Sequence, residues 1–242
     1  MEVWNLMASF AGPNLINDSL MLSLDAANTN SYPGSGTTWI DMSDKGNDGT
    51  LQNGAAFDSG NNGVINLDGT NDRIDVAYSP TLAFSNGIIS SEIWLYVDSL
   101  TTNFPLICKR GNGATNNDRP YVFEINSGGY IRWILCDDGS GITVCDTDVL
   151  IEAGNWYQIV ATHNNSNAKV YINGVEVKSV SSSITALETT NNNILTRIGF
   201  RHTNSGTLYG DGKVAVARMY SKTLTALEVR QNYMALKGRF GL

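Results

Sequence analysis

Short apolar runs separated by Gly, Asn, Asp and Pro make up most of the chain after its first nineteen residues. In the longest run, 88–97, Ile93 and Leu95 alternate with Glu92 and Trp94, and a period of two is typical of a β-strand with two distinct faces. Further strands are predicted at 20–24, 64–67, 73–76, 104–109, 121–126, 130–135, 142–145, 156–163, 169–172, 194–200 and 213–220. About a dozen short strands without alternating helices predict an antiparallel β-sandwich.

Two local signals fix particular elements. Asn173-Gly174 lies between two predicted strands and favours a type I′ hairpin turn, which needs positive φ at both central positions. Thr225 and Glu228 have the spacing of a capping box, and residues 226–236 after Thr225 contain neither Gly nor Pro. One short helix is therefore predicted near the C-terminus.

Composition and charge exclude several classes of partner. The chain has 242 residues and a net charge of −7, and its Lys and Arg residues form no run that could follow a phosphate backbone, so nucleic acid is not expected as a partner. No apolar stretch approaches the roughly 20 residues that span a bilayer, so membrane insertion is not expected either. Residues 1–12 lack the basic and apolar segments of a signal peptide. The odd number of cysteines, three, favours free thiols and folding in a reducing cytoplasm.

Four groups of motifs occur in a characteristic order along the chain. They are Leu22 to Asn28 with Ser31 to Trp39 and Asp48 to Leu51; Leu67 to Ile74; Trp156-Tyr157 with Val170 to Gly174; and Val216 to Tyr220 followed by Leu224, Glu228 and Asn232-Tyr233. In this order they resemble the laminin G-like, concanavalin A-like lectin modules of bacteriophage and bacterial surface proteins. The resemblance implies an all-β fold: an antiparallel two-sheet jelly-roll sandwich with a short C-terminal helix, formed by residues 20–242 as one domain.

Residues 1–19 stand apart from the strand pattern. Phe10-Ala11-Gly12-Pro13 runs directly into the first strand and is similar to versions from tailed phages, especially those of marine cyanobacteria. This resemblance implies a place on the surface of a phage particle, with other virion proteins as partners and a homo-oligomer as a further option. The segment is either a flexible arm or edge strand, or an attachment segment that docks on a partner.

The sequence offers little support for catalysis. Glu92 and Asp98 share one face of the strand 88–97, but six residues of strand separate them by roughly 20 Å, too far for the acid pair of a glycosidase. Glu92 is interpreted as an acid at the strand edge or rim, and Trp94 as a core residue in preference to a sugar platform. His163 and His202 have no nucleophile in a strained elbow nearby. A non-enzymatic protein is expected.

Binding sites are predicted in loops and at strand ends. Aromatic and polar side chains beside the long Asn/Gly-rich segments 111–118 and 202–212 are candidates for carbohydrate binding. These candidates are Trp39, Arg119, Tyr121, Tyr130, His202 and Tyr209.

A weak calcium site is a second possibility. The resemblance implies an acid near the Gly-rich turn, matched by Asp68 and Asp72, and a second acid at the start of the closing strand. There the chain has Ala215, with Asp211 nearby but out of register. Calcium prefers six to eight oxygens, so the alternative is that these acids only stabilise a tight turn.

The sequence thus predicts a virion surface protein, such as a head decoration, fibre or adhesion module, whose lectin-like sandwich recognises host glycans. The alternatives are a cementing protein without a ligand and a glycoside hydrolase of the laminarinase type. Because one fold carries several functions, the fold alone does not decide among them.

Overall fold

The computed structural model describes residues 13–112, 119–137, 141–187 and 193–242. The strands are β1 Leu20–Asp25, β2 Thr38–Trp39, β3 Gly49–Gln52, β4 Ala56–Asp58, β5 Val64–Asp68, β6 Arg73–Val76, β7 Ile88–Ser99, β8 Phe104–Lys109, β9 Tyr121–Ile125, β10 Tyr130–Cys136, β11 Ile142–Leu150, β12 Trp156–Asn164, β13 Asn167–Ile172, β14 Val175–Ser181, β15 Thr196–Ile198, β16 Phe200–His202, β17 Thr207–Tyr209 and β18 Asp211–Tyr220. The helix α1 covers Ala226–Leu236, and short 3-10 turns lie at Gly60–Asn62, Pro80–Leu82 and Lys237–Phe240.

Two large sheets form the sandwich. The first sheet has the strand order β14-β13-β12-β7-β18-β5-β4, with β1 also paired to β18. The second sheet has the order β11-β10-β9-β8-β15-β6-β3-β2, and β16 and β17 form a separate hairpin. The large sheets are antiparallel, as in the pairing of β7 with both β12 and β18. This confirms the predicted antiparallel two-sheet jelly roll with one short C-terminal helix.

Alternation along the strands builds the core between the sheets. On β7, Ile93, Leu95 and Val97 are completely buried in this core. On β10, Ile131 and Trp133 face it from the second sheet. Because successive side chains of a strand point to opposite faces, the residues between these positions lie on the outer faces of the two sheets.

The outer face of the first sheet is itself covered. Trp94 on β7 is completely buried there, with its ring stacked 4.6 Å from that of Phe240 and 5.9 Å from that of Tyr233. Val229 of α1 packs with Leu224 on the same side of the sheet. The predicted core position of Trp94 is confirmed, but it belongs to a second apolar layer under α1 and the C-terminal turn.

Glu92 is not the rim acid that the sequence analysis proposed, because α1 covers its face of β7. Its carboxylate is completely buried and accepts hydrogen bonds from Gln158 Nε2 and Asn232 Nδ2, both at 2.8 Å. Trp94 Nε1 donates to it at 3.2 Å, and Arg218 Nη1 lies 3.8 Å away. A buried carboxylate needs such partners, since an isolated charge in the interior would cost several kcal/mol.

The part of the predicted N-terminal arm that the structure describes, residues 13–19, lies against α1 and the end of β18. Ile16 donates its backbone N–H to Asn232 Oδ1 at 2.9 Å and packs beside the apolar layer of Val229. Asp18 pairs with Lys222 at 3.1 Å. These contacts join residues 13–19 to the sandwich, and residues 1–12 lie outside the described residues, so the attachment role remains a prediction.

Local signals in the sequence are reproduced with one exception. Asn173 and Gly174 have φ values of 51° and 80°, as a type I′ turn requires, and Thr225 and Glu228 form the capping box. The predicted strand 194–200 is instead two strands, because Gly199 adopts a φ of 76° between β15 and β16. The three cysteines are free thiols in the interior, as predicted. In the described part of the chain, no helix has the length and apolar character needed to cross a membrane.

Candidate functional site

The outer face of the second sheet carries charged side chains, and α1 lies on the other side of the sandwich. The side chains of this outer face come from positions that alternate with core residues, such as Arg197 between Thr196 and Ile198 on β15. Arginines are concentrated on this surface, which we call the arginine face. They are Arg73, Arg110, Arg132, Arg197 and Arg201.

Three carboxylates on this face hold arginines in place. Asp75 accepts from Arg73 Nε at 3.1 Å, and Arg197 Nε lies 3.2 Å from the same oxygen. Glu124, which is completely buried, binds Arg201 through both of its oxygens. Such two-point pairing fixes the plane of a guanidinium as well as its position.

A second bidentate pair extends the face towards β11. Arg132 Nε and Nη2 lie 2.9 and 3.0 Å from the two oxygens of Asp146, and both side chains are partly exposed. This hydrogen bonding raises the pKa of Arg132, which stays cationic. The arginine face therefore presents fixed, permanently charged groups.

Arg110 differs from the other arginines because no carboxylate pairs with it among the described residues. The residue is 6% exposed, and its Nη2 donates to Asn204 Oδ1. Its Nε is buried without a hydrogen-bond partner. Burial, followed by the charges of Arg201 and Arg119, lowers the pKa of Arg110. The side chain is thus a buried cation with unused donor capacity.

The β16–β17 hairpin packs on β8 and brings aromatic side chains to this region. Arg73 and Arg197 lie over the ring of Phe200 at 5.3 and 5.2 Å. Tyr209 and His202 contact the same ring, with centroid distances of 5.0 and 4.9 Å. Burial and then the charges of Arg197, Arg110 and Arg73 lower the pKa of His202, so its imidazole is neutral near pH 7.

An open pocket lies at the other end of the arginine face. It has a volume of about 310 Å³, and its wall is formed by Asn126, Tyr130, Asp146, Thr147 and Asp148. The Tyr130 side chain is 39% exposed and projects from the same face of β10 as Arg132. An exposed aromatic ring beside hydrogen-bonding groups is an arrangement that can stack on a sugar.

The structure places the six carbohydrate-binding candidates in two groups. Tyr130, His202 and Tyr209 lie on or beside the arginine face, and Arg119 lies near Arg110 and hydrogen-bonds to the buried Cys136. Trp39 and Tyr121 do not join them.

Trp39 and Tyr121 are core residues, which corrects their assignment as candidates. Trp39 is completely buried beside Gly49 and Leu24, and Tyr121 is completely buried with its hydroxyl 2.8 Å from Thr196 Oγ1. Both lie on the inward-facing positions of their strands, so no ligand can reach them in this conformation.

The candidates predicted from the sequence do not include Arg73, Arg110, Arg197 or Arg201, although a signal for them was present. They are separated by up to 128 positions in the chain, so no basic run marks them. Each belongs to, or directly follows, a predicted strand in a position that alternates with apolar residues. Pairing of β6, β15 and β8 then brings these positions together.

The three predicted metal ligands shape a turn and a strand end. Asp68 Oδ1 accepts from Thr70 N at 2.8 Å, and Asp72 accepts from Gly54 N at 2.7 Å. Asp211 lies opposite Asp68 in the pairing of β18 with β5. Within the ranges that the structure describes, no group of three or more acidic, His or Cys side chains is arranged to hold a metal ion. The hydrogen bonds favour the turn-stabilising alternative, and the weak calcium site stays a prediction.

The mutual repulsion of these acids would favour a bound cation. Burial, together with the charge of Asp98 and Asp68, raises the pKa of Asp211. Burial and the charge of Asp68 also raise the pKa of Asp72. A cation near Asp211 would relieve this repulsion.

The arginine face does not offer the acid pair of a glycosidase in its described residues. Asp75 and Glu124 are three strand spacings apart, about 14 Å, which exceeds the separation that such pairs need. Arg132 lies between Glu124 and Asp146 in the strand register and binds Asp146. Burial also raises the pKa of the Cys108 thiol to about 12, so it is no nucleophile at neutral pH.

Solved structures with the same fold include several binding domains. The binding domain of Paraclostridial Mosquitocidal Protein 1 is 18% identical with a TM-score of 0.67, over 90% of this chain and 52% of that one. The binding domain of Botulinum Neurotoxin DC in complex with SialylT is 14% identical with a TM-score of 0.68, over 91% and 52% of the two chains. The chain thus spans about half the length of these toxin domains.

A third similar structure is matched over nearly its whole length. Domain 4 of an extracellular arabinanase from Geobacillus stearothermophilus, in complex with arabinotriose, is 18% identical with a TM-score of 0.67, over 89% of this chain and 98% of that one. Comparison with curated protein sequences gave no significant match. At these identities the structural likenesses show the fold.

The sequence profile of a laminin G-like family, described as the concanavalin A-like lectin/glucanases superfamily, matches residues 67–230. The match includes β6 to β18 and the start of α1, and hence all five arginines of the arginine face. This chain belongs to the laminin G-like family of the concanavalin A-like lectin/glucanases superfamily.

Proposed function

We propose that the protein is a non-enzymatic glycan-binding module that uses the arginine face and the adjoining Tyr130 pocket. The observation that carries the proposal is that one outer face of the sandwich is covered and the other is not. Apolar side chains, α1 and the C-terminal turn cover the first sheet, whereas the second sheet presents fixed charged groups and an exposed aromatic ring.

The comparisons support a binding role. Three similar structures are a toxin binding domain, a second toxin binding domain in complex with SialylT and an arabinanase domain in complex with arabinotriose. The candidate acids of the arginine face are engaged by arginines, which disfavours hydrolysis. Turnover of laminarin or agarose by the purified protein would contradict the non-enzymatic part of this proposal.

A glycan array with the purified protein tests the proposal directly. We expect binding to cell-surface-type glycans, and we expect Tyr130→Ala to weaken it by about tenfold because a stacking ring is lost. Leu227→Ala is the matched control, since Leu227 is 80% exposed on α1 on the opposite side of the sandwich. Absence of binding to every glycan would refute the proposal.

We further propose a place on the surface of a phage particle, with other virion proteins as partners. The resemblance of residues 10–13 and of the motif order to phage proteins supports this location. Mass spectrometry of purified particles tests it, and consistent absence from the particles would exclude it.

A cementing protein without a glycan ligand is the second candidate, favoured by one observation. The edge strand β11 exposes apolar side chains: Ile142 is 45%, Val144 is 42% and Leu150 is 51% exposed. Exposed apolar edges often mark contacts with another chain, including a second copy. Substitution of Val144 by Lys would then abolish particle incorporation or homo-oligomer formation.

A further inference from the structure

We propose that the glycan recognised by the arginine face is acidic, and that Arg197 and Arg110 bind its anionic group. This inference rests on the proposed glycan-binding function and specifies the class of ligand. The shared chemistry is a negatively charged oxygen group on a sugar, supplied by a carboxylate or by a sulfate.

The charge balance of the arginine face is the first argument. Among its described residues, five arginines face three carboxylates, Asp75, Glu124 and Asp146, while Asp148 of the adjoining pocket pairs with Lys178. The chain as a whole carries a net charge of −7, so this local excess of cations runs against the charge of the molecule. A local cationic surface on an acidic protein attracts anions to one place.

The state of Arg110 is the second argument. Its guanidinium is nine-tenths buried, one nitrogen donates to Asn204, and the Nε has no acceptor. Arg197 Nη1 donates to the backbone oxygen of Arg110 at 3.4 Å, so the two residues are neighbours on the face. Among the described residues no carboxylate pairs directly with Arg110, and an anionic ligand would supply a counterion for this buried cation.

The surroundings of His202 are the third argument. His202 contacts Phe200, and the charges of Arg197, Arg110 and Arg73 act on its imidazole. The pKa of His202 is therefore sensitive to the positive potential of this site. A neutral imidazole can also hydrogen-bond to a sugar hydroxyl.

The chemistry of arginine favours a compact anion on a saccharide. Guanidinium groups match the two oxygens of a carboxylate or sulfate. The Tyr209 ring beside this site and the Tyr130 ring at the other end of the face provide apolar surface for the sugar units. A polymeric phosphate backbone would extend beyond the face and be repelled by the net negative charge of the rest of the protein.

Isothermal titration with matched ligands tests the inference. The probes are an oligogalacturonide, its uncharged methyl ester and a sulfated galactan oligosaccharide, with sialyllactose and lactose as a second acidic and neutral pair. We expect at least about tenfold tighter binding of the acidic member of each pair. Preference for the carboxylated or the sulfated ligand identifies which anionic group is the natural one.

Variants locate the binding. Arg197→Gln should weaken binding of the acidic ligand by about tenfold, because it removes a cation that contacts the ligand, while Asp75 keeps its pair with Arg73. Arg230→Gln changes the net charge equally, on the exposed surface of α1, and should leave affinity unchanged. Thermal unfolding of both variants verifies that they are folded.

Nuclear magnetic resonance of the wild type gives a measurement that needs no variant. The chain has two histidines, so each imidazole can be followed. An acidic ligand should raise the pKa of His202, because a negative charge offsets the nearby arginines. His163, which is buried between Gly87 and Ser182 on the first sheet, should not respond.

The outcomes are distinguishable. Equal binding of acidic and neutral members overturns this inference but leaves the proposed glycan binding in place. Acidic binding that is insensitive to Arg197→Gln, with no change at His202, overturns the assignment to the arginine face. Binding of no glycan at all rejects both this inference and the proposed function.

Discussion

At the scale of single residues, Glu92 shows how a charged group can belong to the interior. Its carboxylate is the common acceptor for Trp94, Gln158 and Asn232, and it is the counterion for Arg218. We expect Glu92→Ala to lower the free energy of unfolding by about 3–5 kcal/mol, because three buried donors lose their acceptor and the buried Arg218 keeps only Asp25, at 4.0 Å, as a carboxylate neighbour. Urea denaturation measures this loss. Glu176→Ala, which removes an exposed pair with Lys169, is the control and should cost less than about 1 kcal/mol.

Asp211 provides a second test at this scale, which addresses calcium. Because its pKa is raised in the folded state, the ionised form costs stability above that pKa, and this cost disappears as the pH falls through it. With a chelator near pH 7, Asp211→Asn should therefore raise the melting temperature slightly. If calcium binds with a Kd of about 0.1 mM, 1 mM calcium should stabilise the wild type by about 1.4 kcal/mol and leave the variant unchanged. No response of the wild type to calcium would mean that the acids only shape the turn.

At the scale of elements, the capping box determines where α1 begins. Thr225 Oγ1 accepts from Glu228 N at 3.3 Å, and Glu228 accepts from Thr225 N at 2.8 Å. Thr225→Ala should reduce the free energy of unfolding by about 1 kcal/mol, because a helix N–H loses its acceptor. Ser183→Ala, at an exposed position outside the helix, should be close to neutral. Equal effects of the two substitutions in thermal unfolding would contradict a role for the cap.

At the scale of the whole molecule, residues 13–19 tie the N-terminal side of the sandwich to its C-terminal helix. Deletion of residues 1–19 removes the hydrogen bond of Ile16 to Asn232 and the Asp18–Lys222 pair, whereas deletion of 1–12 retains both. We expect the longer deletion to lower the melting temperature by several degrees more than the shorter one. Equal melting temperatures would show that residues 13–19 contribute nothing to stability. Particle incorporation of the two deletions then separates attachment from folding.

Local patterns were sufficient for much of the fold and for little of the site. The Asn173-Gly174 turn and the Thr225 capping box depend on neighbouring residues, so the sequence predicts them directly. Trp39 and Tyr121 show the limit, because a Tyr or Trp in a strand has the same local pattern whether it faces the core or a ligand. Burial is decided by which face of a strand another layer covers.

The sequence by itself determined the antiparallel sandwich, most of its strands and the short C-terminal helix, because period-two alternation, turn residues and caps act over a few positions. It also predicted the free thiols. Only the tertiary structure decided that Glu92 is interior and that Arg73, Arg110 and Arg197 share one surface. The reason is physical: α1 covers one sheet, and strands distant in the chain pair side by side in the other. Such contacts depend on the register and layering of the whole molecule, which no local pattern specifies.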